Sequence, residues 1–244
     1  MKVFKGRTIN TVYKKLVKSL LKQKQIGNTK EIENCTLIIK NPTLSNLQFQ
    51  YRKISEKYSN AELMWYWSAN NSCNEICKYA KKWLSITDDG VTSNSAYGYI
   101  LIKKYHKNQI EEVINLLKKD KLSRRAVLNI SDPSIDRINT KDMQCTIALQ
   151  FLIRNNKLNT TVYMRSNDVC YGLPYDYIYF MSIALYIAKQ LNIEVGTYTH
   201  NATSLHIYTD DICKLKKHNQ LININWLDII TRYYSDTSEV YSDK

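Results

Sequence analysis

Apolar side chains recur along this chain with two different periods, which divide it into helices and strands. Near the N-terminus, Val12, Leu16 and Leu20 repeat at helical spacing, and the lysines between them form a solvated face. Residues 175–192 are apolar nearly all round, which is typical of a buried helix. The pattern predicts helices near residues 9–24, 60–70, 73–84, 107–119 and 175–192, and strands near 35–40, 125–131, 145–154, 158–165 and 196–208.

These elements predict an α+β, or mixed α/β, fold in which helices cover a central sheet. The chain has 244 residues but only 6 Gly and 3 Pro, too few for a long linker, so residues 1–244 are expected to form a single domain. No stretch approaches the ~20 consecutive apolar residues of a membrane span. The sequence therefore indicates one domain that does not contact a membrane.

A β-hairpin is the most clearly defined local structure. Residues 145–154 and 157–166 are rich in β-formers and flank two asparagines, which tolerate the positive φ of a tight turn. If the asparagines form the loop, counting outward places Cys145 opposite Ser166 and Thr146 opposite Arg165. A slip of one residue moves the pairing by one position only. Cys145 and Arg165 are therefore expected at the same end of the sheet.

Cys145 is a candidate nucleophile, because a cation beside a cysteine favours the reactive thiolate. Cysteine is also among the most buried residue types, so the other five are interpreted as reduced packing thiols of a cytosolic protein. Cys73 and Cys77 are four residues apart, but no second Cys or His pair at metal spacing completes a zinc site. No metal is expected.

Several motifs in one order resemble the thymidylate synthase and deoxycytidylate hydroxymethylase superfamily. They are ELMWYW at 62–67, NSAYG at 94–98, SRRAVL at 123–128, QCTIALQF at 144–151, RSNDVCYGLPYD at 165–176 and SLHIY at 204–208. The resemblance covers about residues 60 to 210. It implies a thymidylate synthase-like fold with a mixed or mostly antiparallel central sheet, and a homodimer formed by sheet-to-sheet packing.

The resemblance also implies a covalent mechanism. Cys145 would add to C6 of a pyrimidine nucleotide, so that C5 attacks the one-carbon unit of methylenetetrahydrofolate. Arg165 and Ser166 would bind the phosphate, together with Arg124 and Arg125 from a second subunit, because guanidinium groups stay charged and bind phosphate bidentately. By the same resemblance, Asp168 is expected near the pyrimidine ring, His206 and Tyr208 at the sugar hydroxyl, Glu62 at water and proton transfers, and Tyr97 and Asn94 in the cavity wall.

Asp176 is the position expected to select the base. Thymidylate synthases end this motif with asparagine, whose amide can accept from N3–H of uracil and donate to O4. Cytosine reverses that edge, and an aspartate can accept from its amino group and, if the acid or N3 is protonated, complete a second bond. A mismatched edge costs roughly 1 to 3 kcal/mol. Because the chain has aspartate here, as phage-type deoxycytidylate hydroxymethylases do, dCMP is expected over dUMP.

The reaction outcome depends on whether water or a folate hydride meets the intermediate. Thr146 follows Cys145 where synthases have histidine, which is the hydroxymethylase pattern. The final residues, 235–244, lack the small apolar ending that closes over folate in synthases. Hydroxymethyl-dCMP is the expected product, and synthase-type methylation of dUMP or dCMP is the alternative. The enzyme is expected in the cytoplasm, which is the host's if a phage encodes it.

Two other classes remain open from the residues. The net charge of +13 and the 19 tyrosines also suit a protein that binds single-stranded nucleic acid, on which Arg124 and Arg125 would be contacts. A catalytically silent relative is the other alternative, and Glu62 would then be an ordinary helix residue. Neither alternative explains why the matched residues occur in the family's order, so nucleic acid is not the expected partner.

Overall fold

A mixed β-sheet lies at the centre of the protein, as a computed structural model that describes residues 1–238 shows. The strands run in the spatial order β1-β3-β7-β6-β5-β4, and β2 extends the edge of β3. The pairs β1/β3 and β6/β7 are parallel and the others are antiparallel. The strands are β1 (Lys2–Gly6), β2 (Gln25–Ile26), β3 (Thr29–Ile39), β4 (Val127–Asn129), β5 (Thr146–Arg154), β6 (Lys157–Asp168) and β7 (Glu194–Tyr208).

Helices pack against the sheet and against one another. Along the strands, buried residues alternate with more exposed ones, so one face of the sheet joins the core and the other is more open. Ile147 and Tyr163 are exposed apolar residues of the hairpin strands. The helices are α1 (Ile9–Leu20), α2 (Glu56–Trp67), α3 (Lys82–Ile86), α4 (Tyr97–Ile102), α5 (Gln109–Lys119), α6 (Leu173–Gln190) and α7 (Trp226–Ser238), with 3-10 turns at Ile76–Lys78 and Thr209–Lys214.

The architecture confirms the predicted α+β class with a mixed sheet, and most of the predicted elements are present. Helix α2 begins earlier than predicted, because the hydroxyl of Ser55 accepts from the backbone N–H of Tyr58 and caps the helix there. The α4 and α7 helices and the β1 and β2 strands were not predicted. The interpretation of the C-terminal tail concerns residues that lie largely outside the described part, since residues 239–244 are not described.

The predicted helix at residues 73–84 is wrong. The segment is tied to a distant part of the chain at its start, where the N–H of Cys73 donates to the carbonyl of Val91 at 2.8 Å. Ser72 and Thr92 also form an isolated β-bridge. Only the short 3-10 turn and α3 remain helical in this region. A long-range pairing therefore overrides the local preference.

The hairpin forms with the predicted loop but with a different pairing at its far end. Asn155 and Asn156 have φ of 51° and 55°, and Arg154 pairs with Lys157. A β-bulge between Thr146 and Ala148 then shifts the register by one residue. Thr146 consequently pairs with Met164, and the N–H of Arg165 donates to the carbonyl of Cys145 at 2.9 Å. The predicted partners, Ser166 for Cys145 and Arg165 for Thr146, are therefore each wrong by one position.

Helix α6 forms the centre of the core. Its residues are buried almost all round, as the sequence predicted. The indole N–H of Trp67 in α2 donates to the hydroxyl of Ser182 in α6 at 2.9 Å, and the Trp67 ring contacts Tyr234 of α7 with centroids 5.1 Å apart. This contact joins three helices around one buried indole. Among residues 1–238, no helix has both the length and the apolar character needed to cross a bilayer.

Gly98 allows α4 to pack directly on α2. A Cβ atom at this position would lie 1.6 Å from the backbone oxygen of Tyr66, which cannot move without distorting α2. We expect Gly98→Ala to lower the free energy of unfolding by about 3 kcal/mol or more. Urea denaturation of the purified variant would measure this loss.

Gly27→Ala is the matched control, because nothing lies within 4 Å of a Cβ there and only its φ of +57° is unfavourable. The free energy of unfolding of this variant should fall by about 1 kcal/mol. Equal losses in the two variants would contradict the close approach of α4 and α2.

Candidate active site

Arg165 and Cys145 lie side by side at the end of the hairpin. The guanidinium Nε donates to the carbonyl of Gln144 at 2.9 Å and a terminal nitrogen donates to the carbonyl of Met143 at 2.8 Å. The same terminal nitrogen lies 3.7 Å from Sγ of Cys145. The predicted proximity is confirmed, and the β-bulge makes it closer than simple counting suggested.

The segment before Cys145 is held by Asp142. This buried carboxylate accepts from the hydroxyl of Ser93 at 2.6 Å and from the backbone N–H of Ser95 at 3.1 Å. The backbone carbonyl of Asn94 in turn accepts from the side chain of Gln144 at 2.5 Å. The NSAYG segment thus supports the loop that carries the thiol. Sequence reasoning did not identify this role of Asp142.

The pKa of Cys145 is raised above its ordinary value, mainly because the thiol is buried. Arg165 opposes this shift and stabilises the thiolate, but the carboxylates of Asp176, Asp142 and Asp168 raise the pKa further. Arg165 thus acts on the thiol in the expected direction, but burial outweighs it in the chain without a bound ligand. Any group that screens these carboxylates would favour the thiolate.

Asp176 is a half-buried acid, one turn into α6. Its Oδ2 accepts from the side-chain amide of Asn167 at 2.7 Å. Burial raises the pKa of Asp176 to about 7, the Asn167 hydrogen bond lowers it, and the charge of Asp168 raises it. Asp176 can therefore be either protonated or ionised near neutral pH. The predicted pairing of Asp176 with cytosine depends on this property.

Glu62 is a second acid, and it is buried. Its Oε1 accepts from the hydroxyl of Tyr58, one turn earlier in α2, at 2.5 Å. Burial raises the pKa of Glu62 to about 8, the Tyr58 bond lowers it, and the charge of Asp176 raises it. The indole N–H of Trp83 donates to the same tyrosine oxygen at 3.0 Å. Sequence reasoning missed Tyr58 and Trp83, although Tyr58 has the i, i+4 spacing from Glu62 that places both on one helix face.

Asp168, Ser166 and His206 lie together because β6 and β7 run in parallel. Asp168 lies opposite His206 in the register of the two strands. The hydroxyl of Ser166 lies 3.5 Å from Nδ1 of His206. The rings of His206 and Tyr208 are in contact, with centroids 5.3 Å apart. Oδ1 of Asp168 accepts from the backbone N–H groups of Cys170 and Tyr171, both at 2.6 Å. Within residues 1–238, its buried Oδ2 has no hydrogen-bond partner.

Tyr97 is buried, and the charges of Asp176 and Cys145 add to the burial that raises its pKa well above the ordinary value. It therefore lies near both groups. The side-chain amide of Asn94, in contrast, donates to Asp88 at 3.0 Å and to Thr140 at 3.4 Å. Asn94 thus contributes to the site by its backbone contact with Gln144.

Arg124 and Arg125 lie away from Cys145 of their own chain. The carbonyl of Ala126, the next residue, accepts from the N–H of Phe151 at 2.9 Å. Phe151 is six positions beyond Cys145, which is roughly 20 Å along a strand. Both arginines are exposed, and neither guanidinium forms a hydrogen bond or ion pair with any side chain among residues 1–234. They are available to a molecule that packs against this end of the sheet.

The free oxygen of Asp168 and the aromatic side chains near Glu62 fit a folate. A buried carboxylate oxygen without a partner is an acceptor for a ligand N–H, which reduced pterins offer. Trp83 is half-buried, and its ring lies 4.9 Å from that of Trp65 by centroids. Flat aromatic faces of this kind can stack on a heterocycle. Asp168, which the resemblance places near the pyrimidine ring, and Trp83 are therefore also the residues that would hold a reduced folate.

Comparison with known proteins agrees with this geometry. The family model described as "Thymidylate synthase" matches residues 11–224. A deoxyuridylate hydroxymethyltransferase of Bacillus phage SP01 is 31% identical over 229 residues, which cover 86% of this chain and 60% of that protein. A deoxycytidylate 5-hydroxymethyltransferase of Enterobacteria phage T4 is 28% identical over 173 residues, which cover 66% of this chain and 70% of that protein. The chain thus spans less than two thirds of the SP01 relative's length.

Among solved structures, the thermostable thymidylate synthase A from Bacillus subtilis superposes with a TM-score of 0.68. It is 21% identical, and the match covers 88% of this chain and 86% of that one, so it supports the fold alone. The family match and the fold together define the class as thymidylate synthase-like enzymes. The chain belongs to the thymidylate synthase family. Members of this family and the related hydroxymethylases use methylenetetrahydrofolate as the one-carbon donor.

The Tyr58 hydroxyl should set the pKa of Glu62. We expect Tyr58→Phe to raise that pKa by about 1 unit, because the hydrogen bond stabilises the ionised acid. Glu62 would then stay protonated to higher pH. Carbon-13 NMR titration of labelled glutamate carboxyls would measure the shift directly.

Tyr186→Phe is the matched control, since it removes a similar bond from Tyr186 to Glu111, at 3.3 Å, elsewhere in the protein. It should leave the Glu62 titration in place. A Tyr58→Phe variant with an unchanged or lowered Glu62 pKa would contradict the assigned bond.

Proposed function

We propose that this chain hydroxymethylates C5 of dCMP through a covalent bond to Cys145, with methylenetetrahydrofolate as the one-carbon donor. The observation that carries the base assignment is the half-buried carboxyl of Asp176, whose pKa is raised to about 7 by the loss of solvent around it. Such a group can accept from the amino group of cytosine and donate a proton to N3. The names of the relatives include both a deoxyuridylate and a deoxycytidylate enzyme, so the base is argued from this residue.

Cys145 would act as the nucleophile. Its Sγ would bond to C6 of the base while the thiol proton leaves, which makes C5 a nucleophile toward the one-carbon unit. Arg165 would bind the phosphate, whose negative charge then lies near the thiol. Since Arg165 already lies 3.7 Å from Sγ, bound phosphate and thiol would share one cation. Tyr97, near both Cys145 and Asp176, would close the cavity beside the base.

The later steps require water and proton transfers. Loss of the C5 proton and of the folate leaves a methylene carbon on the base, to which water adds before Cys145 departs and the ring double bond returns. Glu62 is suited to manage these protons, because burial raises its pKa to about 8 and it can both hold and release a proton. Thr146, in place of the synthase histidine, supports water rather than hydride at this step. His206, Tyr208 and Ser166 would bind the sugar and phosphate, and Asp168 would bind the folate.

Such an enzyme uses free nucleotide and folate, so we propose the cytoplasm as its location. We also propose that it acts as a homodimer, in which the more open face of the sheet packs against that of a second copy. The position of Arg124 and Arg125, roughly 20 Å along the sheet from their own Cys145, supports this arrangement. They would complete the phosphate site of the partner.

The product identifies the reaction. We expect incubation with dCMP and methylenetetrahydrofolate to yield hydroxymethyl-dCMP by mass spectrometry, with no rise in dihydrofolate absorbance. Methylated nucleotide with dihydrofolate would overturn the reaction type, and faster conversion of dUMP would overturn the argument from Asp176.

Cys145→Ser should lose turnover by at least about 10³-fold while nucleotide still binds. The exposed Cys213 provides the control, because Cys213→Ser should retain full activity.

Complementation tests the shared site. We expect Cys145→Ser and the double variant Arg124→Ala, Arg125→Ala to be inactive separately. Mixed in equal amounts after dissociation and reassembly, they should recover about a quarter of the wild-type activity, because half the dimers would be mixed and each would contain one intact site. No recovery, with mixed dimers demonstrated by mass spectrometry, would show that the arginines serve their own chain or none.

A further inference from the structure

A chain of buried hydrogen bonds leads from β7 to the carboxyl of Asp176. The hydroxyl of Tyr198 lies 3.2 Å from Nδ1 of His200, and Nε2 of His200 lies 3.1 Å from Oδ1 of Asn167. The amide nitrogen of Asn167 then lies 2.7 Å from Oδ2 of Asp176. Tyr198, His200 and Asn167 are all buried, with at most 2% of their surface exposed. None of the three had been assigned to the site from the sequence.

When Asp176 is ionised, the donor and the acceptor of each hydrogen bond in this series are fixed. A carboxylate only accepts, so Asn167 must donate its N–H and turn its Oδ1 toward His200. His200 must then donate from Nε2, which leaves Nδ1 to accept from the Tyr198 hydroxyl. Burial lowers the pKa of His200 to about 3, so the ring is neutral and has a single N–H. Each of the three hydrogen bonds thus has one donor and one acceptor.

Gly172 leaves room for this amide. A Cβ at position 172 would lie 2.9 Å from the amide nitrogen of Asn167 and 3.0 Å from the carbonyl of Asp168. The amide therefore fits between the end of β6 and the start of α6. Its two hydrogen bonds hold it from both sides, which restricts rotation of the side chain.

The bond from Asn167 makes the two oxygens of Asp176 different. Oδ2 accepts from the amide, whereas Oδ1 makes no hydrogen bond to any residue in the range 1–234. A neutral carboxyl that rotates freely can match either pyrimidine, because it can present its hydroxyl and carbonyl in either order. Donation to Oδ2 favours that oxygen as the carbonyl and leaves the proton on Oδ1. Only one order of donor and acceptor then faces a base.

We propose that Asn167, held by His200 and Tyr198, is a positioning residue that fixes the orientation of the Asp176 carboxyl and thereby the discrimination between cytosine and uracil nucleotides. The inference rests on the proposed function, since it assumes that Asp176 contacts the base. It extends the specificity determinant from one residue to four. The three added residues act through Asp176 and need not touch the nucleotide.

The test is the ratio of kcat/KM for dCMP to that for dUMP, measured under one condition. Asn167→Ala should lower the preference at least tenfold toward unity. His200→Leu, which removes the donor to Asn167, should do the same, whereas His200→Gln retains an N–H near the Nε2 position and should preserve the ratio within threefold. Retention by the conservative variant distinguishes positioning from general damage.

Asn159→Ala is the matched control on the same strand. Asn159 lies eight residues before Asn167, and its Oδ1 accepts from the N–H of Thr197 at 2.8 Å. The variant therefore loses a hydrogen bond to an asparagine without disturbing Asp176. Its ratio should equal that of the wild type. If Asn167→Ala does not fold, as judged by circular dichroism, the His200 pair provides the same comparison. Equal losses for both nucleotides in Asn167→Ala or His200→Leu, with an unchanged ratio, would overturn the proposal.

Failure of the proposed function would look different. Dissociation constants of dCMP and dUMP for wild-type protein, measured by calorimetry without folate, report base preference apart from turnover. A wild type that prefers dUMP would overturn the dCMP assignment, yet Asn167→Ala should still reduce that preference at least tenfold. A wild type with no preference would overturn the positioning role together with the base assignment.

Discussion

The turn between β6 and α6 is the constraint on which the site depends. Oδ1 of Asp168 accepts from two successive backbone N–H groups, and the Asp168 carbonyl accepts from the N–H of Gly172 at 3.0 Å. This turn reverses the chain, so that Asp176 in the first turns of α6 returns beneath Asn167 at the end of β6. The opposite oxygen of Asp168 remains free of hydrogen bonds within the described residues. One carboxylate thus holds the local fold with one oxygen and offers the other to a ligand.

Burial governs the chemistry of the site. It is the largest cause of the raised pKa of Cys145, Glu62 and Asp176, because a low-dielectric environment disfavours each ionised form. The charge of Asp176 raises the pKa of Glu62 and that of Asp168 raises the pKa of Asp176, whereas Arg165 opposes the shift at the thiol. In the site without ligand, these groups therefore hold protons to a higher pH than they would in water. Its groups can exchange them when a bound anion, a base or water changes the local balance of charge.

The hairpin shows how far local reasoning reached. The two asparagines predicted the turn, and the alternation of residues predicted the strands, so Cys145 and Arg165 were expected at one end of the sheet. The β-bulge was not predicted, because nothing in the local pattern marks the extra residue. The error in residues 73–84 has a related cause, since the backbone of Cys73 bonds to Val91, a partner that a window of neighbouring residues does not contain. Strand β1 likewise depends on parallel pairing with the distant β3.

The sequence by itself determined the class of fold, the positions of the main strands and helices, and the candidate residues that lie within ordered motifs. These features depend on periodicity, turn chemistry and residue type, all of which are local. Only the tertiary structure decided how those residues are ionised and what holds them. The partner of Asp176 is Asn167, and behind it lie His200 and Tyr198 of a parallel strand. These hydrogen bonds join β6, α6 and β7, which follow one another along the sequence. Their burial and their hydrogen bonding nevertheless arise only when the three elements pack together.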